Sequence, residues 1–400
     1  MFNGERLKQA RELLGMTQHD LAVAARMDQS YVSLIEQSAR QPPEATIETL
    51  ALTVGFPTSF FSLPSGPDFP LGSLLFRRKS GLSSAEAAKA RQLARIIFEL
   101  HEKLQIRFKP LAIRLPRVGD SDPAEAAQIT RSYLGYSPDG PIRGLMHRVE
   151  KAGVLIFRLP LSAVAFDALS AWSSELRPLI ALGQPKSGDR DRATVAHELG
   201  HLVLHSIFLG ELSTLEQQAG AFAGELLLPE ADMREEAAQQ LTLTRLAELK
   251  SRWGVSMQLI LKRLGDLELI SPQQKSYWRG KMDKQGWLEV EPVPIPSENP
   301  GLLRQMLEAA YGAPVDARRV AQEMAFPARF IAEVMKANGR EPILAPRAAI
   351  PAEFEESQAV PEMIEPQAAP QKRQAGGLLS FPGARKPPHE AGRPISSICR

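Results

Sequence analysis

The chain has 400 residues, of which 44% are hydrophobic, enough for two or three domains with cores of their own. Its single cysteine, Cys399, excludes a disulfide framework within one chain and a cysteine-ligated zinc site, and the net charge of +2 points to no class of partner. The opening Met1-Phe2-Asn3-Gly4-Glu5-Arg6 lacks a signal peptide, and Arg158 and Asp167 interrupt the apolar run near Val154 before it could span a bilayer, so a cytoplasmic location is expected.

Residues 1–62 read as an all-α domain. A periodic helix over 5–14 breaks at Gly15, and a second comes after it, with Thr17 as its cap and Asp20 three residues on. A third begins at Gln29 and a fourth covers about 44–54. This is helix-turn-helix spacing, and it resembles the phage-repressor-like XRE module. The pattern is carried by Thr17-Gln18, Leu21-Ala22, Val32-Ser33, Ile35-Glu36, Pro42 and Leu50-Ala51, with one departure at Ser38, where the family usually has Gly. The resemblance implies binding to double-stranded operator DNA, as a homodimer on a two-fold-related site. In it the third helix enters the major groove with Gln29, Ser30, Tyr31 and Ser33 as readers, while Gln18 bonds a phosphate. Acidic residues outnumber basic ones over these sixty positions, so nonspecific phosphate attraction is expected to be weak.

Residues 63–82 read as a linker that lets the first domain move semi-independently. The next segment is basic, with Arg77, Arg78, Lys79, Lys89, Arg91, Arg95, Lys103, Arg107, Lys109, Arg114 and Arg117. It reads either as extra phosphate contacts or as the solvated face of a long amphipathic helix over 83–105. Further along, a short strand near 111–115, helices near 123–134 and 142–152, and strands around 154–157, 163–168 and 178–182 are expected.

The most informative stretch is Val195-Ala196-His197-Glu198-Leu199-Gly200-His201-Leu202. On a helix, two imidazoles four residues apart share one face and can grip one metal ion, with a carboxylate beside the first. The run 191–208 has helical apolar spacing and no proline. Zinc held by three protein groups keeps a place for an acidified water, and Glu198 can take its proton. The next carboxylates in the chain are Glu211, Glu216, Glu225, Glu230 and Asp232. Glu216 is preferred as third ligand because it opens a second helix, 215–228, in which Ala219, Gly220 and Ala223 permit close packing on the first.

The run from Asp191 to His205, with Glu216-Gln217-Gln218-Ala219, Phe222-Ala223 and Leu228-Pro229, resembles the ImmA/IrrE metallopeptidases. The likeness extends upstream to Gly153 and downstream to about Pro292. It implies zinc on His197, His201 and Glu216, Glu198 as base, a gluzincin-like fold, and cleavage of a repressor, another copy or the chain itself. The chain has Ala168 where the family often has Gly, and Gly220 where it often has Asn. His205 and Arg192 are candidates for supporting the site or touching substrate, and Arg192 and Tyr277 for stabilising an oxyanion.

Beyond Pro229, a helix, glycine turn and helix over 246–264 read as an extension of the peptidase domain (83–292), and 293–340 as a small helical segment. Residues 341–400 are Pro-, Ala-, Gln- and Glu-rich, which predicts disorder. The fold class expected is α+β and mostly helical: a helix-turn-helix domain, a metallopeptidase domain with a small sheet, a helical extension and a tail. The function expected is DNA-binding transcription regulation joined to zinc-dependent proteolysis. Its alternative is a purely DNA-binding regulator in which the second domain senses a ligand or supports the fold.

Overall fold

The computed structural model describes residues 1–66, 75–78, 83–108, 111–119, 121–161, 166–173, 176–205 and 211–339, the segment 75–78 by its backbone. The expected tail over 341–400 and most of the expected linker lie outside these residues. The architecture is mostly helical with one small mixed sheet.

The first domain comprises α1 (Gly4–Leu13), α2 (Gln18–Ala25), α3 (Gln29–Glu36), α4 (Glu44–Val54) and a 3₁₀ turn, Thr58–Ser62. Local chemistry sets its boundaries. Asn3 caps α1 by accepting from the Glu5 amide, and Thr17 with Asp20 forms a reciprocal capping box on α2. Gly55 ends α4 in the left-handed conformation. Ser38 stands at φ 57°, the region glycine adopts without strain. Its hydroxyl accepts a hydrogen bond from the Gly4 amide at 3.2 Å, a contact glycine could not make.

The long helix α5 (Ser84–Gln105) gives this domain a firm seat. Started by a Ser83/Glu86 capping box, it packs along α1. The Arg6 guanidinium donates to both Glu99 oxygens, at 2.7 and 3.0 Å, and its Nε donates to the Pro64 carbonyl at 2.9 Å. Both side chains are buried, and leaving one charge without the other in such a place costs about 3–5 kcal/mol. Gln92 bridges Gln9 and Glu12, and Phe60 packs against Phe326 near the other end of the chain. The contacts between α1 and α5 therefore replace the semi-independent module expected from the linker's composition. Composition shows a flexible backbone but not the side chains that tether it. Four members of the basic run have partners within the chain: Arg95 with Glu5, Lys103 with Glu99, Arg107 with Glu323, and Arg117 over the Trp172 ring. Of its two readings, the helical face is the one these pairs favour.

The second domain starts with β1 (Leu75–Arg78) and continues after α5 through α6 (Pro123–Tyr133) and α7 (Leu145–Lys151). It then adds β2 (Leu155–Arg158), β3 (Phe166–Trp172) and β4 (Pro178–Leu182). The sheet order is β1-β3-β4-β2, with β2 and β4 parallel and the other pairs antiparallel. β2, β3 and β4 are buried throughout: their runs are mostly apolar, and the charged Arg158 and Asp167 are paired with Asp191 and Lys186. The strand expected near 111–115 is absent. That segment runs without regular pairing, and its Arg114 amide donates to the Ala152 carbonyl. Instead β1, inside the expected linker, supplies the fourth strand.

Two helices cross this layer: α8 (Gly188–Leu204), packed on β3, and α9 (Leu212–Leu227), packed on α8 and α6. α10 (Glu230–Ala237), α11 (Leu243–Trp253), α12 (Met257–Asp266) and α13 (Pro272–Lys284) extend the domain, with Gly254 in the left-handed turn between α11 and α12. α14 (Leu302–Tyr311), α15 (Ala317–Met324) and α16 (Ala328–Ala337) close the described chain, α14 against both α5 and β2. Among the described residues no helix is long and apolar enough to cross a membrane.

Candidate metal centre and recognition helix

α8 presents His197, His201 and His205 along one face at four-residue steps. α9 brings Glu216 to the first two. His197 Nε2 and His201 Nε2 are 3.1 Å apart, and the Glu216 oxygens lie 3.3 Å from the first and 3.4 Å from the second. Among the described residues no other set of three His, Cys, Asp or Glu side chains converges in this way. The other carboxylates weighed as third ligand are engaged elsewhere. Glu225 pairs with Arg263, Glu230 with Arg234, Asp232 accepts from the Gly140 amide, and Glu211 is exposed at the start of α9.

The close approach of α9 depends on a glycine of α8. A Cβ on Gly200 would stand 2.9 Å from Phe222 Cδ1 and 3.2 Å from Ala219 Cα, so only hydrogen fits there. Gly220, expected at the contact, has nothing within 4 Å of the corresponding position. Gly200→Ala is therefore expected to cost about 1–3 kcal/mol by overpacking the helix pair. Gly220→Ala should instead stabilise by up to about 1 kcal/mol through helix propensity. Urea unfolding of the two variants checks both signs.

The charge states suit a cation. Burial, the largest influence, pushes the His201 pKa down to about 4, and a hydrogen bond from His197, the largest influence on Glu216, holds that carboxyl well below the usual carboxylate range. A neutral imidazole and an ionised carboxylate are the forms that ligate metals. A hydrogen-bonded chain also orients His201. His205 Nε2 faces Gln218 Oε1 at 2.9 Å and must carry a proton, so its Nδ1 accepts from His201 Nδ1 at 2.9 Å. This leaves the His201 Nε2 lone pair pointing at Glu216 and His197. Burial lowers the His205 pKa as well, which keeps this relay neutral.

Glu198, also buried, accepts a 2.6 Å hydrogen bond from the Ser170 hydroxyl on β3, while the Trp172 indole donates to the Leu202 carbonyl of α8. Sequence reasoning assigned no role to Ser170 or Gln218. For Ser170 the available signal was the one hydroxyl in a mostly apolar strand. For Gln218 there was none, because its partner is set by how α9 lies on α8. Arg192 is held by the Ile142 carbonyl and Glu298, at 2.9 and 2.8 Å. Tyr277 lies on α13 with its ring against Trp278. Neither is brought to the His-His-Glu cluster by these contacts.

In the first domain, Gln29 and Ser30 are exposed at the start of α3, and Tyr31 and Ser33 are partly exposed. The Arg40 guanidinium lies over the Tyr31 ring at 5.0 Å, and Ser33 accepts from Gln37 at 3.1 Å. Gln18 donates to Glu36 at 2.8 Å, and Glu36 is itself held by Arg11. It is thus braced between α2 and α3, where the reading from sequence aimed it at a phosphate. Gln18 and Gln29 line one shallow pocket with Ser84, Ala85 and Ala88 from the first turns of α5.

Comparison with known proteins agrees with both halves. Residues 149–265 match a peptidase family model described as IrrE N-terminal-like domain, and residues 4–59 match one described as helix-turn-helix domain. No curated protein matches the chain.

Proposed function

We propose that this chain, which carries a helix-turn-helix domain and an IrrE N-terminal-like peptidase domain, is a cytoplasmic DNA-binding transcription regulator whose second half is a zinc-dependent peptidase acting on a regulatory protein, a partner or the chain itself. The observation that carries this reading is the His197, His201 and Glu216 triangle. Zinc bonds of about 2.0–2.1 Å at tetrahedral angles require ligand atoms about 3.3–3.4 Å apart; here the two imidazole nitrogens are 3.1 Å apart, one Glu216 oxygen lies 3.3 Å from His197 Nε2 and the other 3.4 Å from His201 Nε2. Three protein ligands leave a fourth position for chemistry, the arrangement of catalytic rather than structural sites.

When bound, zinc acidifies water and polarises a peptide carbonyl. The chain's own residues do the rest. Glu198, next to His197 and held by the Ser170 hydroxyl, is the group that takes a proton from water and passes it to the departing amine. His205 and Gln218 hold His201 in its ligating tautomer. His197, Glu198 and His201 are buried, which strengthens each of these interactions.

Recognition of DNA falls to α3, with Gln29 and Ser30 at its exposed start reaching base edges and Gln18 reaching a phosphate once it exchanges its bond to Glu36. The chain would bind as a homodimer on a two-fold-related operator. Gln29→Ala is expected to weaken operator affinity by about 1–3 kcal/mol, measured by fluorescence anisotropy at fixed salt. An unchanged affinity would remove Gln29 from the groove. The whole reading is tested in cells carrying an operator reporter, with wild type set against Glu198→Gln. Altered control with intact DNA binding supports a regulatory peptidase, and unchanged control makes the second domain a sensor or a support.

A further inference from the structure

We propose that the segment Leu75–Arg78 occupies, in its own chain, the sheet edge on which a peptide substrate pairs, so that the peptidase domain is held closed until this strand leaves. The proposal rests on the peptidase reading and names how that site is regulated.

In the sheet, β1 lies outermost, antiparallel to β3, with Leu75 opposite Ser170, Phe76 opposite Leu169 and Arg78 opposite Phe166. With β1 away, β3 becomes the edge and presents a row of backbone donors and acceptors, the template that binds an extended peptide by strand addition. This edge borders the candidate site. β3 carries Ser170, bonded to Glu198 at 2.6 Å, and α8 packs against β3. A peptide paired along β3 would therefore run beside the strand residue that holds Glu198, and Leu75 already stands opposite it.

The pairing is also of a kind that can be broken. β1 has four residues, one neighbouring strand and a register irregularity between Phe76 and Arg78, so few ladder bonds hold it. β2, β4 and β3 form a sheet without it, each strand buried by helices. Described residues before and after β1 in the chain are tied to the first domain. Pro64 is held through its carbonyl by Arg6, and α5 is held through Glu99 by the same Arg6.

The test uses the full chain loaded with zinc and carrying Glu198→Gln, so that a probe is not cut. The probe is a labelled peptide of residues 71–80, and its binding is read by anisotropy with and without Phe76→Pro, since proline disfavours a paired strand. Freeing an edge that is open in a tenth of molecules or fewer should raise the affinity by about tenfold or more. Hydrogen exchange should show the β3 amides deprotected in the variant and protected again by the probe. Replacing residues 75–78 with Gly-Ser-Gly-Ser serves as a second variant if Phe76→Pro fails to fold. Equal binding to parent and released variant overturns the proposal. Hydrolysis of denatured casein by the same variants with Glu198 intact separates the two readings. If the probe binds the released chain tightly but no variant cuts casein, the edge occupancy stands and proteolysis fails.

Discussion

Glu216→Ala is expected to lower zinc affinity by at least about 100-fold while leaving the fold intact, because even groups that only support a ligand cost 10–100-fold when removed. Wild type should hold one zinc per chain by elemental analysis, and His197→Ala and His201→Ala should lose it as Glu216→Ala does. Glu216 lies on α9 with a partly exposed side chain, so its truncation opens no buried cavity. The direction of the shifts sets the pH dependence. Burial lowers the His201 pKa to about 4, so protons do not compete for its nitrogen as pH falls through 6. Proton competition at His201 is therefore weak, and zinc retention, which should fall as acid protonates the ligands, is measured by dialysis at stepped pH with metal analysis of each sample. Full retention of zinc by Glu216→Ala would place the third ligand elsewhere. A wild type that takes up no zinc on reconstitution would make the second domain a peptidase fold without its chemistry.

Glu198→Gln is expected to have the second large effect: hydrolysis slowed by about 10²–10⁴-fold, the range of a lost general base, with zinc content unchanged. Glutamine keeps the shape and can still meet the Ser170 hydroxyl, but it cannot accept a proton from water. Single-turnover cleavage of a regulatory protein co-purified with the chain, or of denatured casein, gives the rate, and metal analysis of the same sample gives the occupancy. Equal loss of zinc and activity would show that Glu198 shapes the site rather than takes the proton. Unimpaired hydrolysis would assign the base to another residue.

Local signals were legible wherever one residue acts on its near neighbours. The capping box of Thr17 and Asp20 and the start of α5 at Ser83 are read within four residues, and the structure contains them as expected. The strand over 178–182 was likewise legible, because a short apolar run bounded by polar residues leaves few alternatives. The failures share a different cause. The segment 111–115 has a strand-like composition but finds no strand partner, while 75–78, which sits in a loop-like context, does. Pairing is a property of two segments, and neither carries it alone. Gly200 and Gly220 make the same point for helices. Both are small residues with helical neighbours, and only the crossing of α8 over α9 decides which of them must lack a side chain.

What the amino-acid sequence alone determined is the pair of histidines on one helical face with a carboxylate between them, the helix-turn-helix spacing and the mostly helical class, since each arises from the helical repeat and local capping. Only the tertiary structure decided the rest. It set the distances at which Glu216, already preferred from the sequence, meets the histidines, and tied Glu198 to Ser170 from a strand 28 positions earlier. It also seated the first domain on α5 through Arg6 and Glu99, 93 positions apart. These contacts join groups distant in the chain, and their partners are selected by how helices and sheet pack to bury apolar surface, which no local stretch encodes.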